Sequence, residues 1–285
     1  MPVLSIQSAV VYGHVGNSAA VFALQRLGIE TWALPSVLLS NHTGYGHWQG
    51  GPIEATKARA LVAGIDRIGA FPRCQAVLSG YLGHPDLAAV VAEAVAKMRL
   101  ARAAGADALY CLDPVFGNDR RGRFVDQAVE IAIAGNLVAL ADIITPNRFE
   151  LAALSAVPVG SIDQALAAAD ALAARGPARV LCKSLPAAGA AVAVMVRDHD
   201  AAWLIETPRL ATPGDGAGDV LGALLLAHVL GGAPFVEAAE RAVAGVYALL
   251  KATAAAGRDE LCLIEAQALL ADPPRRFALK RLREA

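Results

Sequence analysis

Short apolar runs rich in β-branched residues alternate with longer, alanine-rich stretches of helical period along most of the chain. Val3 to Tyr12, Glu30 to Val37, Ala76 to Ser79, Ala108 to Leu112, Asp142 to Thr145, Arg179 to Lys183, Ala190 to Val196 and Ala202 to Glu206 read as strands. Asn17 to Leu27, Ile53 to Ile68, Pro85 to Ala104, Asp126 to Ala139 and Ile162 to Ala174 read as helices between them. Nearly continuous apolar strands such as Ala76-Val77-Leu78 require burial on both faces, so the rhythm predicts an α/β fold with a mostly parallel central sheet wrapped by helices. From Gly218 onward the pattern predicts helices only, at Asp219 to Leu230, Phe235 to Ala255 and Asp259 to Leu270. No linker, repeat or low-complexity block divides the chain, which is read as one domain over residues 1–285.

Composition narrows the class. With 285 residues, 56% of them hydrophobic and 18% charged, the chain can bury a large core. The longest apolar run, Val220 to Leu230, contains His228 and falls short of the roughly 18 residues a membrane span needs. The start, Met1-Pro2-Val3-Leu4-Ser5, has no basic region before its apolar residues, so cytoplasmic residence without a leader is expected. Cys74, Cys111, Cys182 and Cys262 are far apart and set in apolar surroundings, which predicts reduced packing residues and neither disulfides nor a zinc site. Arg275, Arg276, Lys280, Arg281 and Arg283 lack interleaved aromatics; they predict a solvated helical tail and no nucleic-acid surface.

In open α/β sheets ligands bind beyond the carboxyl ends of the strands, and the unusual residues gather in the loops there. Thr212-Pro213-Gly214-Asp215-Gly216-Ala217-Gly218-Asp219 leads into an apolar helix, so backbone N–H groups and the positive end of the helix dipole predict an anion site. On pattern alone Asp219 is either an N-cap or the general base of a phosphoryl transfer. Neither a Walker-type phosphate loop nor a dinucleotide fingerprint in a βαβ setting occurs. Ser40-Asn41-His42-Thr43-Gly44-Tyr45-Gly46-His47-Trp48 suits a flat heteroaromatic ligand, or else covers a sheet edge. Ser79 to Gly83, Asp113 to Asp119 and Thr145 to Glu150 place further polar groups at strand ends.

Together Leu4-Ser5-Ile6-Gln7-Ser8, Gly13 to Asn17, Ser40 to Trp48, Leu78 to Tyr81, Asp113-Pro114-Val115, Asp142 to Asn147, Gly216-Ala217-Gly218-Asp219 and Ala244 to Tyr247 resemble the pyridoxal kinase branch of the ribokinase-like superfamily, nearest its bacterial members. The resemblance implies a three-layer α/β/α kinase that uses ATP to phosphorylate the 5′-hydroxymethyl group of pyridoxal. It implies a substrate pocket lined by Ser8, Val15, Thr43 and Tyr81, with His42 and Trp48 shaping one wall. It implies Asp219 as catalytic base and the main chain of Gly216, Ala217 and Gly218 as anion hole. Asp113, Asn147 and Glu150 correspond to positions around the metal, its waters and the phosphates, Asp113 and Glu150 serving the metal partly through water. Lys183 and Ser184 correspond to nucleotide contacts. Mg²⁺, K⁺ and a homodimer follow from the same resemblance.

The chain departs from that pattern at several places. Ala9 stands where a histidine is common, Asn118 where an acid is common with Asp119 as its substitute, Ala217 where threonine or valine is usual, and Arg121-Gly122-Arg123-Phe124 where bacterial members often carry an aldehyde-reactive cysteine. Two rivals stand beside this reading: a kinase for hydroxymethylpyrimidine or a related vitamin precursor on the same fold, and a vitamin-B6-binding protein of weak activity.

Overall fold

Strands that are apolar on both faces need a helical layer on each side, and the computed structural model, which describes residues 2–102 and 108–284, has both. In chain order the elements are β1 (Val3–Val10), α1 (Asn17–Arg26), β2 (Thr31–Leu39), β3 (Gly50–Pro52), α2 (Ala55–Arg67), β4 (Ala76–Ser79), α3 (Asp86–Ala101) and β5 (Leu109–Leu112). A small hairpin of β6 (Gly117–Asn118) and β7 (Gly122–Arg123) follows, then α4 (Gln127–Asn136), β8 (Ile143–Ile144), α5 (Arg148–Ser155) and α6 (Ile162–Ala173). The last part holds β9 (Arg179–Pro186), β10 (Ala191–Asp198), β11 (Ala201–Pro208), α7 (Ala217–Leu230), α8 (Phe235–Ala256), α9 (Gln267–Ala271) and β12 (Leu279–Arg283).

One ten-stranded sheet, ordered β12-β11-β10-β9-β8-β5-β4-β1-β2-β3, runs through all of it. β2, β1, β4, β5, β8 and β9 are parallel, while β3, β10, β11 and β12 join antiparallel at the two edges. Alternate residues serve opposite layers: Leu4 and Ile6 of β1 face the core under α2 to α6, and Val3 faces the core under α1, α7 and α8. The four cysteines are buried and unbonded, as the sequence predicts. No helix among the described residues is long and apolar enough to cross a membrane.

β3, β6 and β7 are short strands where the sequence predicts none, and three further elements differ from the sequence reading. The basic tail is an edge strand, not a helix: β12 pairs antiparallel with β11, and its neighbours' charges are engaged, Arg283 with Asp170 at 2.7 Å and Arg276 with the buried Glu240. Arginine and lysine on an outermost strand also discourage pairing with other chains. Helix over Asp259 to Leu270 is confined to α9, because the N–H of Cys262 donates to Thr253 Oγ1 (3.1 Å) and Leu263 N–H turns back to the Leu261 carbonyl (2.7 Å). The short α5 has no strong apolar period and is not among the helices the sequence predicts; a capping box starts it, Asn147 Oδ1 accepting the Glu150 N–H (3.0 Å) and Glu150 accepting the Asn147 N–H (2.9 Å). The last two residues of the helix predicted over Pro85 to Ala104 lie outside the described residues.

Candidate active site

The strand order reverses at β1, with β2 on one side and β4 on the other, and a crevice opens beyond the carboxyl ends there as the doubly wound topology requires. It is a cavity of about 870 Å³. Ser8, Val15, His42, Thr43, Tyr81, Asp113, Asn147, Glu150, Lys183, Ser184, Gly216, Ala217, Gly218 and Asp219 all line it. Asn17, at the start of α1, fixes the end of β1: it accepts from Ser5 Oγ (2.7 Å), and its amide hydrogens reach the Ser5, Gln7 and Leu34 carbonyls. That knot accompanies a register shift between Gln7 and Ala9 against β2, which sets Ser8 at the cavity.

The polar floor is made where α7 begins. Gly216 is its N-cap in the left-handed region (φ 87°), and a Cβ there would lie 1.9 Å from the His14 carbonyl oxygen, so only glycine lets the two loops meet. No side chain caps the helix, whose start faces the cavity, and the Ala217 N–H there donates to the Gly214 carbonyl (3.0 Å). Asp219 sits in the first turn, three residues past the N-cap, so the N-cap role is excluded. Burial and the nearby Asp113 raise its carboxyl to about 6, while a Gly16 N–H and Lys183 pull the other way. A carboxylate so tuned can take a proton from a hydroxyl near neutral pH.

Lys183 is the counterion of this floor. Its Nζ donates to Asp113 Oδ1 at 2.6 Å, with side-chain exposures of 14% and 3%, and an added Cβ on Gly218 would lie 3.2 Å from the same Nζ. Burial disfavours its charge, but Asp113, Glu150 and, more weakly, Asp219 outweigh that and raise its pKa. Glu150 is pushed well above the usual carboxylate range, chiefly by burial, with Lys183 opposing and Asp113 reinforcing the shift. Both of its oxygens accept backbone N–H groups, from Phe116 (3.3 Å) and Asn147 (2.9 Å). Asn147 in turn donates Nδ2 to the Gly117 carbonyl (2.8 Å), so the pair holds the hairpin over the cavity.

At the other end the walls are apolar and aromatic. Tyr81 stacks on Phe124 from the hairpin (ring centroids 6.5 Å apart, 25° between planes), and Arg121 lies over Phe124 at 5.0 Å while pairing with Asp215 of the anion loop at 3.1 Å. Trp48 stands on the other side of this wall, in a recess that shares Thr43, Tyr81, Arg121 and Phe124 with the main cavity. It is 45% exposed and lines that recess with Val37, Gly83 and Phe124, because the residues around it turn outward to form β3. Asn118 caps the hairpin turn, accepting the Arg120 and Arg121 N–H groups, and Asp119 is clasped by Arg148 at 2.7 and 2.9 Å. Both side chains are thus engaged locally, the Asp119 pair on a partly exposed surface.

The sequence reading missed Phe124, Arg121 and Asp215 as cavity residues, and Val243, Val246 and Leu250 of α8, which with Val192 and Val194 of β10 make the far wall apolar. Among the described residues no cluster of three or more His, Cys, Asp or Glu side chains could hold a metal unaided. Asp113 Oδ2, however, is buried without a partner beside Gly218. One spare carboxylate oxygen next to an anion loop fits Mg²⁺, which keeps most of its waters and is held largely by phosphate.

A family model described as phosphomethylpyrimidine kinase matches residues 47–262. The chain is 43% identical to a pyridoxal kinase PdxY of Rubrobacter xylanophilus, over 98% of this chain and 97% of that one. It is 40% identical to the PdxY of Leifsonia xyli subsp. xyli, over 99% and 100%. Among solved structures it resembles the pyridoxal kinase from Leishmania donovani in complex with ADP and pyridoxamine, with a TM-score of 0.94, 30% identity and 99% of each chain covered. Likeness of sequence and of fold, each running from end to end, has one reading: the chain belongs to the pyridoxal kinase family.

Proposed function

We propose that the chain transfers the γ-phosphoryl group of ATP to the 5′-hydroxymethyl oxygen of pyridoxal, giving pyridoxal 5′-phosphate and ADP. The observation that carries this reading is the position of Asp219, between a ring-sized apolar pocket and a helix N-terminus bare of side-chain caps. In this reading pyridoxal lies by Ser8, Val15, His42, Thr43 and Tyr81, with Phe124 closing the pocket. Its hydroxyl oxygen attacks the γ-phosphorus, the bond to the β-phosphate oxygen breaks, and the hydroxyl proton passes to Asp219. Backbone N–H groups at Gly216 and Gly218, and that of Ala217 as it gives up the Gly214 carbonyl, stabilise charge on the transferring group. Lys183 and Ser184 hold the phosphates, Asp113 carries a share of the metal's waters, and Asn147 with Glu150 orients that side of the cavity. Bound Mg²⁺ neutralises phosphate oxygens.

Incubation with MgATP, K⁺ and either pyridoxal or hydroxymethylpyrimidine, with chromatography of the products, is expected to show pyridoxal 5′-phosphate as the preferred product. The pyrimidine is the serious competitor, since the matched family model is described by a pyrimidine kinase activity. Phosphorylation of the pyrimidine alone would mean the pocket has been misread, and of neither would favour the binding-protein reading. Because the base must be ionised, kcat/KM for pyridoxal should fall as pH drops through about 6 and level off above it. A pH-rate profile flat down to pH 5 would contradict this. That the whole chain is a single catalytic domain, cytoplasmic, K⁺-dependent and homodimeric belongs to the same proposal. It is supported by the family resemblance and, for the single domain, by one sheet running through every part.

A further inference from the structure

Glu260 comes from the irregular segment after α8, far in sequence from every loop discussed so far. Its carboxylate nevertheless reaches two of them. Oε2 accepts the backbone N–H of His14 at 2.9 Å, while Oε1 accepts the Tyr45 hydroxyl at 2.7 Å and lies 3.1 Å from His42 Nε2. The Glu260 and His42 side chains are only 13% and 15% exposed, whereas Tyr45 meets them from the surface, 43% exposed. His42 is held on its other side too, where Nδ1 accepts the Gly44 N–H at 3.2 Å. The hydrogen bond to Glu260 raises the Tyr45 pKa, so the phenol stays a donor at any working pH.

The loop after β1 is shaped to receive this carboxylate. Gly13 has φ 99°, which strains any other residue, and a Cβ there would lie 2.7 Å from Glu260 Oε2 and displace the carboxylate. The next residue along, Leu261, packs beside Gly216, which itself abuts the His14 carbonyl. One short segment therefore touches the loop after β1, the loop after β2 and the start of α7.

We infer that Glu260 is a positioning residue for phosphoryl transfer, tying the loop that carries His42 and Thr43 to the loop that abuts the anion site, so that the substrate ring is held in register with the phosphate. The inference rests on the proposed pyridoxal reading, because it concerns where that ring lies. The hydrogen-bond partners of Glu260 are on the loops after β1 and β2, whereas Lys183 and Asp113 pair at the nucleotide end. Loss of Glu260 should therefore separate the two substrates.

The test is steady-state kinetics of Glu260→Ala and Glu260→Gln with pyridoxal and MgATP varied in turn, beside Glu265→Gln, which breaks only the exposed pair with Arg258. Removing hydrogen bonds to a charged group predicts a KM for pyridoxal raised about tenfold or more in Glu260→Ala, with the KM for MgATP changed by less than about twofold. Glu260→Gln should fall between, because its amide oxygen still accepts while its nitrogen cannot, and Glu265→Gln should match wild type. Unchanged KM for pyridoxal in both Glu260 variants would overturn the inference, as would equal increases in both KM values accompanied by a lower Tm. If Glu260→Ala does not fold, the glutamine variant decides alone. Wild-type protein assayed in the same series keeps the two questions apart: failure of wild type to phosphorylate pyridoxal refutes the functional reading, whereas active wild type with indifferent variants refutes the role of Glu260.

Discussion

Replacing Asp219 with asparagine or alanine is expected to lower kcat by about 10²- to 10⁴-fold, the range for removal of a general base, with KM for pyridoxal and MgATP changed only a few-fold. The expectation follows from geometry. Asp219 stands in the first turn of α7, and the helix cap is made by Gly216 without any side chain, so the carboxylate is not needed as a cap. Its elevated pKa also says that burial opposes its charge. A carboxyl whose folded pKa lies above its unfolded value contributes stability that is lost as pH rises through the folded pKa, here from 3.8 to about 6. Asp219→Asn should therefore be at least as stable as wild type at pH 7.5, and its advantage should vanish near pH 4. Rates and thermal melts at both pH values check this. Near-wild-type turnover would remove Asp219 from the role of base, and a large fall in Tm at pH 7.5 would make its role structural.

The alternation of apolar runs and helical stretches was enough to anticipate the parallel part of the sheet, since burial on both faces leaves a strand no other composition. What escaped were elements held by contacts distant in sequence. β12 is a strand because β11 offers an open edge, Asp170 a counterion to Arg283, and Glu240 one to Arg276 just before it, none of which shows in a run of Arg, Lys and Leu. The segment at 259–266 has helical composition but is pulled out of helix by Thr253 and by the reach of Glu260. Tertiary hydrogen bonds overrode propensity in both.

Site residues next to strand ends were legible, because topology sends those loops to one crevice; Ser8, Thr43, Tyr81, Asp113, Asn147 and Gly216 to Asp219 meet there. Trp48 lines a recess next to the main cavity, across Thr43, Tyr81 and Phe124, because the chain turns into β3 two residues after it. Asn118 and Asp119 illustrate another blind spot. Their side chains satisfy the hairpin's own N–H groups and Arg148, a local use that residue type alone does not distinguish from metal binding. Phe124, Arg121 and Glu260 carry no motif and are found only by proximity.

Replacing Lys183 with methionine should cost more than any other single change at the nucleotide end. The lysine is the only cation among the groups that shift Asp113's neighbours Glu150 and Asp219 downward in common, and its ion pair with Asp113 is nearly dry. Breaking a buried pair by removing one partner strands the other charge, which costs about 3–5 kcal/mol in typical cases. The stranded groups have an escape, namely to take up a proton. With Lys183 gone, the folded-state pKa values of Glu150 and Asp219 rise further while their unfolded values stay put, so the deficit should be small near pH 4 and grow as pH rises through the new folded values. The same shift should move the acidic limb of kcat/KM above the wild-type position near 6, because Asp219 then ionises later. Denaturant melts at pH 5 and pH 8 together with a pH-rate profile read both effects. A stability loss equal at the two pH values, with the limb unmoved, would mean that Lys183 serves only to fill space between β9 and α7 and that the charge of the site is balanced elsewhere.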